Sequence, residues 1–278
     1  KRKKCSTFIG FGVRPLSDSV FEVEWILHLG EFRDSIILVG GSVPPLLYPA
    51  IAKDYIGTLD IDLALNHLTI DEAKYQTIRN ALLKRGYKEG GQPFIFFREV
   101  HMEDGNPVTV EVNFLSGEYG GTGKSHRTQK IQDVRARKAR GCDLAFENFI
   151  SVEMEADLPG GGKDRVTFKI SAVVPFIIMK GMALADRLKE KDAWDIYYCL
   201  TRHPGGIEQL IKEFELHFDN RLVKEGLMKI SEKFASHEHI GPKHVADFEG
   251  ITDHDEREIV QRDVFERVDY LLRGLGLR

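Results

Sequence analysis

Cysteine is scarce in this chain: Cys5, Cys142 and Cys199 are the three among 278 residues. They are widely separated, show no paired metal-ligand spacing and cannot all pair within one molecule, which points to a reducing compartment. The histidines offer no compact ligand spacing beyond His237 and His239, so no zinc site is expected. No apolar run approaches the roughly 20 residues that span a bilayer, and the basic stretch Lys1–Lys4 is not followed by a signal-peptide apolar region. A cytoplasmic protein without a membrane partner is therefore expected. Charge of one sign is also lacking: Lys and Arg total 39 against 43 Asp and Glu, a formal net charge of -4. Bulk charge supplies no attraction for nucleic acid, so a polyanionic partner would need a local basic patch. Internal repeats of fixed period and linker-like low-complexity stretches are missing as well.

What remains is the balance of an ordinary globular protein, with 42% hydrophobic and 29% charged residues. The length suits two modest domains. Phe21–Leu29 reads as the end of a helix. Ser35–Val39 is an apolar run of strand length stopped by Gly40-Gly41, and Pro44 and Pro45 follow where missing N–H groups matter little to a helix start. Leu46, Leu47, Ala50 and Ile51 then recur at helical spacing. Next, Leu59, Ile61, Leu63 and Leu65 alternate with Asp60, Asp62, Ala64 and Asn66, the period-two pattern of a strand with one buried face. Thr69 and Glu72 form a capping-box pattern for a helix that stops at Gly86. Phe94–Val100 and Val108–Phe114 predict two strands joined by a turn, with Thr109, Glu111 and Asn113 sharing a face. Residues 116–141 carry many bases, among them Lys124, Arg135, Arg137, Lys138 and Arg140, and read as a mobile or partner-binding excursion. Phe149–Met154 and Arg165–Ile170 suggest a hairpin. From Val173 onward the pattern is helical. The fold class is α+β: a mixed-sheet domain over residues 1–172, with its core about 20–172, followed by a helical domain over 173–278.

Two features carry chemistry. Asp60 and Asp62, two apart on a strand, lie on one face about 7 Å apart at a rise of roughly 3.3 Å per residue. Glu111, on the polar face of another strand, can complete an acidic site. Such carboxylates suit Mg2+, or Mn2+ in its place, which takes hard oxygen ligands and is commonly shared with substrate phosphates. The second feature is Gly40, Gly41 and Ser42 at a strand-to-helix junction, where glycines let a triphosphate approach backbone N–H groups. Alone, a Gly-Gly turn is usually structural and a D-x-D strand usually a solvated edge. Their order, strand, Gly-Gly-Ser, helix, D-x-D strand, then a strand with a third acid, is far more specific.

The string V-G-G-S (39–42), T-L-D-I-D-L (58–63) and V-E-V-N (110–113) resembles the nucleotidyltransferase superfamily, the polymerase beta-like fold. Residues 180–200 narrow this, because K-G-M-A-L-A-D-R-L-K-E-K-D-A-W-D-I-Y-Y-C-L resembles the helix of the AbiEii abortive-infection toxin branch. The resemblance spans roughly residues 36–200. It implies a metal-dependent transferase moving a nucleotide from an NTP such as ATP to an RNA end, tRNA foremost, as the toxin of a toxin-antitoxin system with an antitoxin partner. It implies Asp60, Asp62 and Glu111 as catalytic acids and metal ligands, with Lys180 and Asp192 also in the catalytic set. Gly40, Gly41, Ser42, Lys180, Arg187 and Lys191 would bind the nucleotide, the helical domain thus contributing basic residues to the site.

The residues themselves leave alternatives open. Lys180, Leu184, Arg187, Lys191 and Asp195 form one helical stripe that either faces phosphates or is a solvated face laced with i to i+4 pairs. Asp192 and Asp195 can be orienting partners for those bases. Tyr197, Tyr198, Cys142 and Cys199 read as packing residues. Glu111 can be a metal ligand or a base for the acceptor hydroxyl. The seventeen residues between Ser42 and Asp60 exceed the family's interval, which implies an extended or tilted cradle helix. Transfer to a protein or small molecule, or an inert module that only binds NTP or RNA, uses the same residues.

Overall fold

The computed structural model describes residues 5–10, 30–58, 60–66, 68–70, 72–92, 94–101, 106–117, 128–131, 134–157 and 163–278. The expected helix end at Phe21–Leu29, and Lys124 of the basic segment, lie outside them. The chain divides into two compact units: residues 1–46 with 57–172, and residues 47–56 with 173–278.

The first unit is built on a mixed sheet. Its strands are β1 (Cys5–Gly10), β2 (Ile36–Val39), β3 (Asp60–Leu65), β4 (Lys88–Glu89), β5 (Ile95–His101), β6 (Pro107–Ser116), β7 (Thr128–Ile131), β8 (Val134–Lys138), β9 (Asn148–Asp157) and β10 (Lys163–Ser171). Their order is β1-β9-β10-β2-β3-β6-β5-β4, with β8 on β6 and β7 on β8. The β2–β3 pair is antiparallel and the β3–β6 pair parallel, which sets the acid strand between two neighbours of opposite sense. The short helices α1 (Val43–Leu47) and α3 (Leu144–Glu147), the longer α2 (Glu72–Lys84) and the 3-10 turns Gly30–Ser35 and Gly40–Ser42 accompany these strands.

The alternation read in the sequence is the reason this sheet has two unlike faces. Ile61 and Leu63 on β3, and Val110, Val112 and Phe114 on β6, are buried on one side. Tyr75 of α2 stacks edge-on against Phe114, ring centroids 5.8 Å apart, so α2 covers this apolar face. The opposite face therefore receives the residues of the other parity, Asp60, Asp62, Glu111 and Asn113. Thr69 donates its hydroxyl to Ser35 Oγ at 2.7 Å, and the helix that follows begins at Glu72. Within the basic excursion, β7 and β8 are ordered strands, and Leu115↔Arg137 pairing attaches them to β6.

The second unit is helical: α4 (Val173–Arg187), α5 (Glu190–Arg202), α6 (Gly206–Glu215), α7 (Arg221–Lys233), α8 (Ile240–Phe248) and α9 (His254–Gly274). Helix starts follow the capping chemistry of the sequence: Asn220 accepts from Leu222 N–H and Asp253 from Glu256 N–H. Helices α4 and α7 approach closely where Gly181 meets Ile230 and Gly226 meets Ile178; a Cβ on Gly226 would stand 2.7 Å from Ile178 Cγ2. The segment 47–56, a 3-10 stretch over Pro49–Asp54 and its flanks, belongs to this unit and brings it Tyr48 and Tyr55. No described helix is long and apolar enough to cross a membrane.

Candidate active site

The buried strand β2 ends at Val39, and the chain turns through a single 3-10 turn, Gly40–Ser42, closed by Val43 N–H on Gly40 C=O. Gly40 takes φ +74, a left-handed conformation that an L side chain resists. A second reason for glycine is steric. A Cβ at this position would fall 2.1 Å from Asp62 Oδ2 and 2.8 Å from Asp62 Cβ, so the Asp62 side chain lies directly against the turn. Ser42, 5% exposed, reaches from the same turn toward the Asp60 carbonyl, Oγ to O 3.4 Å.

Across the parallel β3–β6 pair, Asp60 stands opposite Glu111 and Asp62 opposite Asn113. Paired residues project to the same face, so the turn, both aspartates and Glu111 meet at one end of the sheet. Exposure grades along it: Asp60 is exposed, Asp62 and Glu111 are half-buried, and Asn113 is buried at 4%. Asp143 is a neighbour that the sequence did not signal, since nothing in the string G-C-D-L marks it. Its carboxylate packs where a Gly117 side chain would be, and burial followed by the charges of Asp143 and Asp62 pushes the Cys142 thiol well up. That thiol is a protonated packing group, not a nucleophile.

The expected cradle helix is much shorter than its apolar spacing implied. Helix α1 spans five residues, after which Tyr48 leaves helical geometry and residues 47–56 join the other unit. The long Ser42-to-Asp60 interval is thus an excursion that furnishes core residues elsewhere, and any anion-binding capacity near Asp62 resides in the Gly40–Ser42 backbone.

Gly40→Ala is expected to cost about 1–2 kcal/mol of stability from backbone strain alone. It also displaces the Asp62 carboxylate. Urea unfolding and a transfer assay on the same variant check both parts, and unchanged values in either would contradict the close packing of Asp62 on the turn.

The remaining candidate residues gather in the helical unit. Lys180 Nζ lies 2.6 Å from Asp195 Oδ2 and 3.2 Å from Asp192 Oδ1, the first an ion pair without good hydrogen-bond direction. Arg187 grips Asp192 with two nitrogens, at 2.7 and 2.8 Å. Lys191 reaches Asp195 Oδ1 at 3.1 Å and the Ile56 carbonyl at 2.8 Å, while Tyr55 donates to Asp195 at 2.7 Å. Lys191 also lies over the Tyr55 ring, 4.5 Å from its centroid, and near Trp194 and Phe248. The expected single stripe is thus split between α4, which carries Lys180 and Arg187, and α5, which carries Lys191 and both carboxylates, with the break at Leu188 (φ 50). The three cations and Asp192 and Asp195 form a largely buried network. Burial alone would lower Lys180, but Asp195 and Asp192 outweigh it and hold it above the ordinary lysine value. For Lys191 burial wins, and its pKa falls. Burial would raise Asp192, yet the Arg187 hydrogen bonds and the Lys180 charge keep it below the usual carboxylate range.

Tyr198 is a core residue whose hydroxyl donates to the Ile51 carbonyl, and burial pushes it up to about 12. Tyr197 donates to Asp263 at 2.6 Å. Burial, then the Asp195 charge, raises the thiol of Cys199.

Among the described residues, no group of three or more His, Cys, Asp or Glu side chains is clustered closely enough to cage a metal ion. The acids share a face without forming a preformed three-carboxylate cage. Magnesium does not require one, because one or two carboxylates plus substrate phosphates commonly hold it.

No protein-family model and no curated protein matches the chain. A solved structure, an antigenic nucleotidyltransferase-like protein from Paracoccidioides brasiliensis, aligns with 78% of this chain and 89% of its own at 16% identity and a TM-score of 0.41.

Proposed function

We propose that this protein is a divalent-metal-dependent nucleotidyltransferase that moves a nucleotide from a nucleoside triphosphate to an acceptor hydroxyl with release of pyrophosphate. The observation that carries the reading is the joint packing of turn and acid strand: Asp62 rests on Gly40 while Asp60 faces Glu111 across β3 and β6. A backbone turn and acids that meet on one face are what the positioning of a triphosphate needs.

The donor set fits magnesium or manganese, since Asp60, Asp62 and Glu111 offer hard oxygen alone. Asp60 and Asp62 would hold the ion, which supplies neutralisation of phosphate charge and alignment of the attacking and leaving oxygens. The backbone of Gly40–Ser42 orients the triphosphate, with no side chain at Gly40 to hold it off. Glu111 either joins the ion's ligands or takes the proton of the acceptor hydroxyl. We assign the acceptor as an RNA end, tRNA foremost, in a toxin countered by an antitoxin. The support is the resemblance of residues 180–200 and the basic strand β8, where Arg137 is exposed.

The test is incubation with each labelled triphosphate and Mg2+ or Mn2+ in the presence of total RNA and protein, followed by separation of the fractions. Label in RNA is expected. Label in protein or a small molecule moves the acceptor to that class, and no label in any fraction overturns the transferase reading.

A further inference from the structure

The acidic face holds one polar atom that the transfer chemistry above does not use. Asn113 stands opposite Asp62 in the β3–β6 register, two residues beyond Glu111 on the same face. It is 4% exposed, and its Oδ1 is buried without a hydrogen-bond partner among the described residues. Buried polar atoms are nearly always satisfied, because an unmet acceptor has given up its water for nothing. Its register partner on β5 is Ile95, an apolar side chain that offers this acceptor no donor. A chain selected for stability alone would place an aliphatic residue at this point.

The position identifies what the acceptor serves. A charged carboxylate, Asp62, is its cross-strand neighbour, and Glu111 precedes it on the same face. An atom sealed from bulk solvent and set beside acids accepts a small donor, of the size of a water molecule, drawn there by negative charge. A hydrated divalent cation brings such donors, since magnesium and manganese retain several waters when held by one or two carboxylates. Water polarised by a cation is also a stronger donor than bulk water.

We propose that Asn113 is a cation-positioning residue: its Oδ1 accepts a hydrogen bond from water bound to a divalent cation held at Asp62. The proposal rests on the nucleotidyl-transfer reading for the cation's purpose. Its test uses the cation alone and so separates the two. Without the ion, the unmet acceptor counts against the fold; with the ion, it fixes where the hydrated cation sits relative to Asp62.

The experiment measures Mn2+ binding to the full chain by electron paramagnetic resonance of the free ion, together with melting temperature in EDTA. The variants are Asp62→Asn, Asn113→Leu and Asn113→Asp. Wild type is expected to bind Mn2+ at a site lost in Asp62→Asn. Asn113→Leu, close in size but without the acceptor, is expected to bind about tenfold more weakly or worse, the usual effect of losing a group that hydrogen-bonds a metal's ligands. Its melting temperature in EDTA is expected to equal or exceed that of wild type. Asn113→Asp keeps the oxygen and is expected to retain the affinity.

Unchanged Mn2+ affinity in Asn113→Leu overturns the proposal while leaving the nucleotide reading intact. If Asn113→Leu melts lower in EDTA, Asn113 has internal partners that the substitution breaks, and the proposal is overturned. Should that variant not fold, Asn113→Asp decides: retained affinity supports the role and lost affinity overturns it. A wild type without a Mn2+ site sensitive to Asp62→Asn overturns this proposal and the metal-dependent reading together.

Discussion

Asp60→Ala is expected to lower nucleotide transfer at least about a thousandfold, a barrier increase of about 4 kcal/mol, and Asp62→Ala at least as much. The fold is expected to survive both. Asp60 is exposed, and the contacts that shape its strand end are made by backbone atoms: its N–H donates to Thr58 Oγ1 and its carbonyl faces Ser42 Oγ. A substitution that spares those contacts stays within about 0.5 kcal/mol of wild-type stability. The measurement is single-turnover transfer with labelled triphosphate, accompanied by urea unfolding of each variant. Full activity in either variant removes the proposed mechanism. Activity lost in proportion to lost folded protein removes it as well, because the acids would then be structural.

Asp195→Ala is the substitution expected to destabilise the protein most. The carboxylate is 0% exposed and holds Lys180, Lys191 and the Tyr55 hydroxyl at once. Its removal leaves two partly buried ammonium groups short of a partner, and breaking a buried pair in this way costs about 3–5 kcal/mol. Asp195→Asn keeps the shape and separates the charge contribution from the packing. Urea unfolding monitored by far-UV circular dichroism checks both variants, and a loss below about 1 kcal/mol for alanine would show that the network contributes little.

The same network sets a pH dependence. Asp192 is held below the usual carboxylate range, so its contribution is present above its unfolded value of about 3.9 and is lost as pH falls through the lower folded value. Lys180 is held above the ordinary lysine value, so its contribution is present below about 10.4 and is lost as pH rises through the raised value. Lys191, lowered by burial, acts in the opposite sense and adds stability as pH rises through its lowered value. The plateau that begins above the Asp192 value therefore ends in a rise at alkaline pH before the Lys180 contribution is lost.

The parts of this molecule that were legible in sequence are those governed by local periodicity. Strand alternation around Asp60 and Glu111 predicted their faces, and the Gly-Gly stop predicted the turn. Where the chain's long-range pairing decides the outcome, local pattern was silent. Lys180, Arg187 and Lys191 were readable as a stripe, but a stripe does not say whether its charges meet a ligand or carboxylates of the next helix. The apolar spacing of Leu46, Leu47, Ala50 and Ile51 promised a helix, and the structure gives two short pieces broken at Tyr48. Tyr48 and Tyr55, from the same segment, instead fill a core formed by residues more than a hundred positions later. Asp143 was invisible for a similar reason: a loop aspartate carries no period. For Asn113, parity revealed the face but not the burial that leaves its Oδ1 unmatched.

The excursion of residues 47–56 interleaves the two units along the polypeptide. During synthesis the first tyrosines of the helical core emerge well before the helices that enclose them, so that core cannot close until those helices have been made. A fragment starting at residue 173 would lack the hydroxyl that Tyr55 gives to Asp195 and the rings that pack on Tyr198 and Trp194. Neither half can be excised at one cut and remain whole, and the ten residues that interrupt the sheet unit bind the maturation of one half to the other.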